Sequence, residues 1–312
     1  WRKKLMVVLM SVHECRMGCC ARARARTQLQ ACYAARRAAG TPRRARARAA
    51  APPAAASASA AGMEDAHVEA GRDARREGSD GEGRRRRRLA VFVSGGGSNL
   101  RALHAATVDG SLDADIVMVV SDKPGCGGWL FGEEHGMETV QYPLPKGAEV
   151  PVEGVRAAAT PEALVETLTG AGVELCLLAG YLKLVPRAVC AAFPRAILNI
   201  HPALLPAFGG KGYHGLNVHR AVVDSGARVT GPTVHFVNER FDEGKIVAQR
   251  TVHVFPEDTA EEVAARVLAQ EHALFAEVAQ AWCEDRIEFR PNGVPAIRPK
   301  ADAALPPNKT LV

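Results

Sequence analysis

Acidic residues are absent from positions 21–61, a stretch that consists mainly of Ala, Arg and Ser. Residues 1–90 as a whole carry a net charge of +13, and the following 222 residues carry −7. The overall charge of +6 and the isoelectric point near 9.0 therefore come from the N-terminal segment alone. Because the rest of the chain is acidic, its charge does not favour nucleic acid as a partner, and we expect none.

Large aliphatic residues are also scarce in this segment, so it cannot bury enough apolar surface to offset the entropy of ordering. We predict a disordered leader and linker over residues 1–88, one folded domain over residues 89–300 and a flexible tail over residues 301–312. Leaders rich in Arg, Ala and Ser and poor in acidic residues are typical of organellar transit peptides. The sequence favours import into a plastid, with a mitochondrial or cytosolic protein as the alternatives. The arginine run Arg84–Arg88 is interpreted as solvated linker.

Long hydrophobic runs and paired cysteines are missing too. The apolar stretch Leu5–Met10 is too short to cross a membrane, and we expect no membrane partner. Four of the eight cysteines lie in the leader; Cys126, Cys176, Cys190 and Cys283 are spread over the remaining chain without Cys-x-x-Cys spacing. We therefore expect reduced thiols, no disulfide framework and no metal site.

The dinucleotide-binding patterns G-x-x-x-x-G-K-[ST] and G-x-G-x-x-G do not occur at the first strand, but a different glycine loop does. The apolar run Leu89–Val93 predicts a buried strand, Ser94–Asn99 (SGGGSN) follows it, and a helical pattern begins at Leu100. Glycines let backbone N–H groups approach a ligand, and a helix N-terminus supplies unpaired donors. The loop indicates a site for one phosphate group, with a plain tight turn as the alternative.

Apolar strands alternate with helical segments from residue 89 to residue 201, which predicts an α/β fold with a mainly parallel, twisted sheet flanked by helices. Thr233–Val237 and Ile246–Val254 predict an antiparallel hairpin towards the C-terminus. A long helix, Thr259–Cys283, opens with a capping box formed by Thr259 and Glu262. The segment Ile287–Pro299 is interpreted as an added hairpin or an ordered strap.

Asn199 and His201 are alternate residues at the end of a short apolar strand, so their side chains point to the same side. Pro202 then ends the strand. An amide donor beside a titratable ring suits a reaction that builds an oxyanion and moves protons, although simple packing is the alternative. Because the carboxyl ends of parallel strands share one edge, we expect this pair to lie near the glycine loop and the loop Gly180–Val185.

His235 and Asp242 are two further polar candidates. His235 lies on a predicted strand, where histidine is usually structural, and Asp242 lies in the hairpin connection, where aspartate is usually solvated or turn-forming. The carboxylate could instead reach over the edge of the sheet. The residues alone leave both interpretations open.

Together these segments resemble the phosphoribosylglycinamide formyltransferase (GAR transformylase) family of formyltetrahydrofolate-using transferases. The motifs are S-G-G-G-S-N, A-G-Y-L-K-L-V, N-I-H-P-A-L-L-P-A-F, G-P-T-V-H-F-V-x-x-x-x-D-x-G and A-x-R-V-L-A-Q-E-H, in this order within Leu89–Glu284. The stretch GGKGY over residues 209–213 is similar to plant and algal members. The resemblance implies a Rossmann-like formyltransferase fold. It also implies transfer of a formyl group from 10-formyltetrahydrofolate to the amine of glycinamide ribonucleotide, a step of de novo purine (IMP) biosynthesis, without a metal.

The resemblance also implies which residues form the site. The catalytic set is Asn199, His201 and Asp242. Gly97, Ser98 and Asn99 hold the substrate phosphate, and Glu271 meets the glycinamide end. The folate-binding residues are Leu182, Lys183, Leu184, Val185, Asn199, Asn238, Glu239, Arg240 and Phe241. Pro161 and Leu268 depart from the family pattern, at positions where some members make a folate-tail contact and a polar substrate contact, respectively.

In the expected mechanism Asn199 donates its amide N–H to the oxyanion, and Asp242 raises the pKa of His201, which returns a proton to the leaving folate nitrogen. Asp242 relays the proton of the attacking amine. A formyltetrahydrofolate deformylase, a methionyl-tRNA formyltransferase and a non-catalytic phosphate-ligand-binding α/β module are the alternatives. A deformylase would not need the phosphate-holding loop, and the chain after Cys283 is short for an RNA-binding domain. The sequence does not give the oligomeric state.

Overall fold

A computed structural model of the chain describes residues 85–145, 147 and 154–300. The tail and nearly all of the leader lie outside the described residues, so the disorder predicted for them and the transit-peptide assignment stay predictions.

Eleven strands and six helices are present in the described part of the chain. The strands are β1 (Arg87–Val93), β2 (Ala114–Ser121), β3 (Glu138–Gln141), β4 (Leu175–Leu178), β5 (Ile197–His201), β6 (Val229–Thr230), β7 (Thr233–Phe236), β8 (Ile246–Gln249), β9 (Val252–His253), β10 (Ile287–Phe289) and β11 (Pro295–Ile297). The helices are α1 (Ser98–Asp109), α2 (Gly127–Glu134), α3 (Pro161–Gly170), α4 (Arg187–Ala192), α5 (Leu216–Asp224) and α6 (Ala260–Cys283).

The central sheet has seven strands in the order β3-β2-β1-β4-β5-β7-β8. The first five are parallel to their neighbours, whereas β7 pairs antiparallel with both β5 and β8. Strands β10 and β11 form a separate antiparallel hairpin. The predicted α/β fold with a mainly parallel sheet and an antiparallel C-terminal hairpin is confirmed.

The connections run outward from β1 to β3 and then return to β4 on the other side of β1. The loops that follow β1 and β4 therefore leave neighbouring strands at the point where the strand order reverses, which is where open α/β sheets bind ligands. Ser94, after β1, accepts a hydrogen bond at its hydroxyl from the N–H of Leu182 (2.9 Å), so the two loops are joined directly.

Both faces of the sheet are covered, which explains the continuous apolar sequence of β1. Leu89, Val91 and Val93 belong to one core with α1 and α6, while Ala90 and Phe92 belong to a second core with α3 and α4. Helix α6 starts with the predicted capping box, in which Thr259 and Glu262 satisfy each other's backbone N–H groups. No helix within the described ranges is long and apolar enough to cross a membrane.

The second strand of the predicted hairpin is divided in two. Strand β8 ends at Gln249, and β9 pairs instead with β6 in a separate two-stranded sheet. The segment between β6 and β7 passes so close to the segment between β8 and β9 that it needs a glycine. A Cβ at Gly231 would lie 1.8 Å from the carbonyl oxygen of Arg250. This close backbone approach, invisible in the hydrophobic pattern, explains why one continuous strand was predicted.

The arginine run before β1 is not a solvated linker, so that interpretation is wrong for Arg85–Arg88. Strand β1 begins at Arg87, and Arg85 and Arg87 form ion pairs with Glu174 at 2.9 and 2.8 Å. The guanidinium of Arg88 donates to the carbonyl of Ala171. The folded part therefore begins before residue 89.

Candidate active site

A cleft of about 580 Å³ lies at the carboxyl edge of the parallel strands. It brings together the loops after β1, β4 and β5, the connection into α5, the β7–β8 loop and one side of α6. Its lining includes nine of the residues predicted for the site: Gly97, Ser98, Asn99, Leu182, Asn199, His201, Phe241, Asp242 and Glu271.

The glycine loop presents the N-terminus of α1 to this cleft. Gly97 is the N-cap and has a left-handed backbone (φ 76°), a conformation that glycine adopts without strain. The first turn of α1 contains no acidic residue and no capping side chain. The unpaired N–H groups of this turn and the positive end of the helix dipole can therefore receive an anion.

Asn99 connects this helix terminus with α6. Its amide nitrogen donates to a carboxylate oxygen of Glu271 at 2.7 Å, and both side chains are buried. Burial raises the pKa of Glu271 and the hydrogen bond from Asn99 opposes the shift, so the net pKa is raised. Leu268, the departure from the family pattern on α6, also lines the cleft and offers no polar group there.

Asn199 and His201 lie at the carboxyl end of β5, next to the antiparallel strand β7. Asn199 is paired with His235 in the register. The ring of His235 is fixed by its own strand, because Nδ1 donates to the carbonyl of Phe236 at 2.8 Å. Its Nε2 then accepts from the amide nitrogen of Asn199 at 3.0 Å. The sheet thus orients the Asn199 amide through His235.

Asp242 reaches this group from the β7–β8 loop, as the resemblance implied. Its carboxylate oxygens lie 3.5 Å from Nδ1 of His201 and 3.6 Å from Nε2 of His235, and 3.4 Å from the Asn199 amide nitrogen. The N–H of Gly210 donates to it at 2.9 Å. Burial opposes ionisation, but the His235 contact, the charge of His201 and the Gly210 N–H outweigh it and lower the pKa of Asp242.

His201 differs from expectation in its protonation. Burial, with a smaller contribution from His235, lowers the pKa of His201, while Asp242 and the carbonyl of Phe208 raise it by less. Asp242 therefore raises the pKa of His201 as expected, but burial outweighs this contribution and the net pKa is lowered. The ring is only 4 % exposed, and desolvation of the charged form outweighs a carboxylate 3.5 Å away.

The contacts of His201 determine which of its two ring nitrogens carries the proton. Nε2 lies 2.8 Å from the carbonyl of Phe208 and holds its proton there. Nδ1 of the neutral ring is left with a lone pair beside Asp242. Phe208 and Asp242 both have positive φ (56°), a backbone that non-glycine residues seldom adopt. The loop backbone is therefore shaped around this ring.

The residues predicted to bind folate are only partly in the cleft. Leu182 and Phe241 line it, and both are partly exposed apolar surfaces. Leu184 is exposed outside the lining and Val185 is buried in the second core, while Lys183 lies 3.5 Å from Asp122. The three polar loop residues have local partners: Asn238 accepts from the Arg240 N–H, Glu239 pairs with Arg187, and Arg240 pairs with Glu243. Their folate-binding role stays a prediction.

Two histidines in the site were not assigned by the sequence. His235 was left open as a structural residue, because its contact with Asn199 depends on a strand register that the sequence does not display. His219 lines the cleft from α5, is buried, and its Nδ1 has no hydrogen-bond partner among the described residues. Burial, together with the charge of His201, lowers the pKa of His219 to about 4. In the sequence, His219 is marked only by being a polar residue on the apolar face of α5, which is weak evidence for a role in the site.

Within the described ranges, no group of three His, Cys, Asp or Glu side chains is arranged to hold a metal ion. The polar groups gathered at β5, β7 and the β7–β8 loop instead comprise an amide, two imidazoles and an ionised carboxylate, which can stabilise an oxyanion and move a proton. The absence of a metal requirement stays a prediction.

Comparison with known proteins gives the family of this chain. The profile of the formyl transferase family matches residues 87–279. The chain is 52% identical over 216 residues to the chloroplastic phosphoribosylglycinamide formyltransferase of Arabidopsis thaliana, covering 69% of this chain and 72% of that protein. It is 51% identical over 227 residues to the Vigna unguiculata protein of the same name, covering 73% and 69%.

Among solved structures, glycinamide ribonucleotide transformylase 1 from Symbiobacterium toebii superposes with a TM-score of 0.60 at 34% sequence identity, covering 70% of this chain and 99% of that one. Its fold and the two plant sequences lead to one assignment: the chain belongs to the phosphoribosylglycinamide formyltransferases, a family of formyl-transferring enzymes.

Proposed function

We propose that this protein transfers the formyl group of 10-formyltetrahydrofolate to the amine of glycinamide ribonucleotide, a step of purine biosynthesis. The observation that carries the proposal is the placement of Asn199, His201 and Asp242 in the same cleft as an anion-receiving helix terminus. A phosphate-bearing amine held at Gly97–Asn99 can extend from there towards the polar group at β5.

The polar group supports addition of the amine to the formyl carbon. The amide nitrogen of Asn199 is oriented by His235 at 3.0 Å, and its contact with Asp242 is longer, at 3.4 Å. We assign the N–H on that longer contact to the oxyanion. A preorganised donor of this kind is worth on the order of 10²–10³-fold in turnover.

Proton transfer follows from the lowered pKa of His201. Because the ring starts neutral, Nδ1 takes the proton that the amine loses as the new C–N bond forms. Asp242, 3.5 Å away, stabilises the imidazolium while it exists. The ring then returns the proton to the folate nitrogen as the bond from that nitrogen to the formyl carbon breaks. The protein is left unchanged, and no metal takes part.

Substrate and folate contacts follow the placement of the remaining residues. Glu271, fixed by Asn99, meets the glycinamide end of the ribonucleotide. The apolar side chains of Leu182 and Phe241 are placed to receive the ring system of the folate. We assign the remaining folate contacts to Lys183, Leu184 and Asn238–Arg240, while Val185 anchors its loop in the second core.

Release of tetrahydrofolate, measured with and without glycinamide ribonucleotide, tests the proposal. We expect release only when both substrates are present. Release from 10-formyltetrahydrofolate alone would indicate the deformylase alternative. No release under either condition would indicate a phosphate-binding module without catalysis.

We also propose that the protein acts in a plastid. Support comes from the Arg- and Ala-rich stretch of residues 21–61, which has no acidic residue, and from the chloroplastic names of the plant relatives. N-terminal sequencing of the protein isolated from plastids would give the processed start. A processed start that lies before Arg85 supports import, and recovery of the unprocessed leader in cytosol would contradict it.

A further inference from the structure

We propose that Arg101 is a positioning residue for the substrate phosphate: it holds the glycine loop so that the loop N–H groups face the cleft, without contacting the phosphate itself. The inference rests on the proposed function, because it concerns the phosphate of that substrate. Arg101 does not line the cleft, and neither the family motifs nor the mechanism above assigns it a role.

The carbonyl groups of the glycine loop are bound on the side away from the cleft. Nη1 of Arg101 donates to the carbonyl of Gly96, and Nη2 donates to that of Gly127 at 3.4 Å. The N–H of Gly128 donates to the carbonyl of Gly95 at 3.0 Å. Two successive carbonyls of the loop are thus bound by α2 and by Arg101.

Because peptide groups are planar, the bound carbonyls of Gly95 and Gly96 also fix the direction of the N–H groups that follow them. In a trans peptide the N–H points opposite to the preceding C=O. The N–H groups of Gly96 and Gly97 therefore point away from Arg101 and α2, towards the side of the loop that lines the cleft. The described residues supply no acceptor for either group. Together with the free N–H groups at the start of α1 they form an anion-binding nest.

The fit between the loop and α2 depends on glycine at both surfaces. A Cβ at Gly127 would lie 2.8 Å from the carbonyl oxygen of Gly96, and one at Gly97 would lie 2.6 Å from the Cα of Gly128. The two backbones are in direct contact, so the position of Gly96 responds to small changes in α2 as well as to Arg101.

The guanidinium of Arg101 is itself held in place. It lies 5.0 Å from the ring centroid of Phe131 on α2, within the range of a cation–π contact. The ring of His135 packs against Phe131 at 3.9 Å, and that of His104 at 5.3 Å. Arg101 thus connects α1 with α2, and both of its Nη atoms donate to backbone carbonyls.

The test measures binding of glycinamide ribonucleotide by calorimetry, together with KM and kcat, for the wild-type protein, Arg101→Met and Arg101→Lys. We expect Kd and KM for the ribonucleotide to rise about tenfold in Arg101→Met, the equivalent of about 1.4 kcal/mol. We expect kcat and the KM for 10-formyltetrahydrofolate to stay within about twofold. Lysine cannot bridge two carbonyls as the planar guanidinium does, so Arg101→Lys should show most of the same loss. Arg290→Met, which removes an exposed arginine that does not line the cleft, is the matched control.

Glycinamide riboside, the same substrate without its phosphate, gives the readout that a general structural role would not produce. Its binding and kcat/KM should be equal in the wild-type and Arg101 variants. An equal loss for the riboside and the ribonucleotide would overturn the proposal. A near-normal Arg101→Lys would also overturn it, because charge rather than positioning would then suffice.

Gly127→Ala displaces the Gly96 carbonyl without changing any charge. It should weaken ribonucleotide binding and spare riboside binding, whereas Gly170→Ala, where a Cβ meets no atom within 4 Å, should change neither. Normal ribonucleotide binding by a folded Gly127→Ala would contradict the proposal.

Binding by the wild-type protein without formyl transfer would refute the proposed function, and the role of Arg101 would then be judged from the Kd values alone. Absence of ribonucleotide binding would refute both.

Discussion

Asp242 is the residue on which the chemistry of the cleft depends, because it lies beside the three polar side chains gathered at β5 and β7. Its carboxylate lies within 3.6 Å of nitrogens on Asn199, His201 and His235. Asp242 has a left-handed backbone, which costs energy in a residue other than glycine. Such strained backbone is typical of functional positions.

The protonation of His201 gives a prediction at this scale. Burial lowers the pKa of His201 and Asp242 raises it by less, so Asp242→Asn should lower the pKa further. NMR titration of the imidazole, assigned with His201→Asn, should give a wild-type midpoint below 6.5 and a lower midpoint in Asp242→Asn. A wild-type midpoint above 6.5 would contradict a neutral His201 at rest.

Sequence reasoning reached this residue set only in part. Asn199 and His201 could be placed on one face of a strand from their spacing, and Asp242 was assigned through family resemblance. The direction of the His201 shift could not be predicted, since it depends on Phe208 and the surrounding segments burying the ring. His235 was likewise undecided until the register of β5 and β7 was known.

At the scale of elements, the β7–β8 hairpin carries the site. Gly244 lies against the carbonyl of Phe236, which also accepts the proton on Nδ1 of His235. The hairpin and its short connection were predicted from the sequence, but this backbone contact has no signature in the hydrophobic pattern.

Gly244→Ala should therefore damage both stability and activity. The new Cβ would be 1.6 Å from the Phe236 oxygen, and overpacking of this kind costs on the order of 1–3 kcal/mol or more. We expect a lower denaturation midpoint and a lower kcat, since the ring of His235 loses its fixed orientation. Gly170→Ala is the control. Unchanged unfolding and turnover in Gly244→Ala would contradict the contact.

Helix α6 offers a second prediction at this scale through Glu271, which it holds beside Asn99. The pKa of Glu271 is raised by burial, so its ionised form destabilises the folded protein at neutral pH, and this cost disappears as the pH falls towards its ordinary pKa of 4.5. Glu271→Gln should raise the melting temperature at pH 7 and weaken ribonucleotide binding. Equal melting temperatures at pH 7 would contradict the raised pKa.

For the whole molecule, the sheet covered on both faces accounts for stability and the cleft at its carboxyl edge accounts for function. The alternation of apolar strands with helices was sufficient to predict this architecture. The start of the folded part at Arg85 was not predicted, because the ion pairs of these arginines with Glu174 join segments distant in sequence.

Protonation of His219, which lines the cleft, should make the free energy of unfolding depend on pH. Its pKa is about 4 in the folded protein against an ordinary 6.5, so unfolded chains take up a proton as the pH falls below 6.5 while folded ones do not. Stability should fall between pH 6.5 and pH 4, and His219 should account for a loss of about 2 kcal/mol by pH 5. Denaturant unfolding of His219→Leu should show a weaker pH dependence by that amount.

The central claim is that Asn199, His201 and Asp242 transfer the formyl group rather than merely bind its donor. The most direct measurement follows a ¹³C-labelled formyl group from 10-formyltetrahydrofolate to the amine of glycinamide ribonucleotide in the wild-type protein, Asn199→Ala and Asp242→Asn, with Asp224→Asn as the exposed control. We predict label in the amide product for the wild type and the control, and rates lower by on the order of 10²–10³-fold in the two site variants, with folding preserved. Label released as free formate, or near-normal transfer by either folded site variant, would contradict the account.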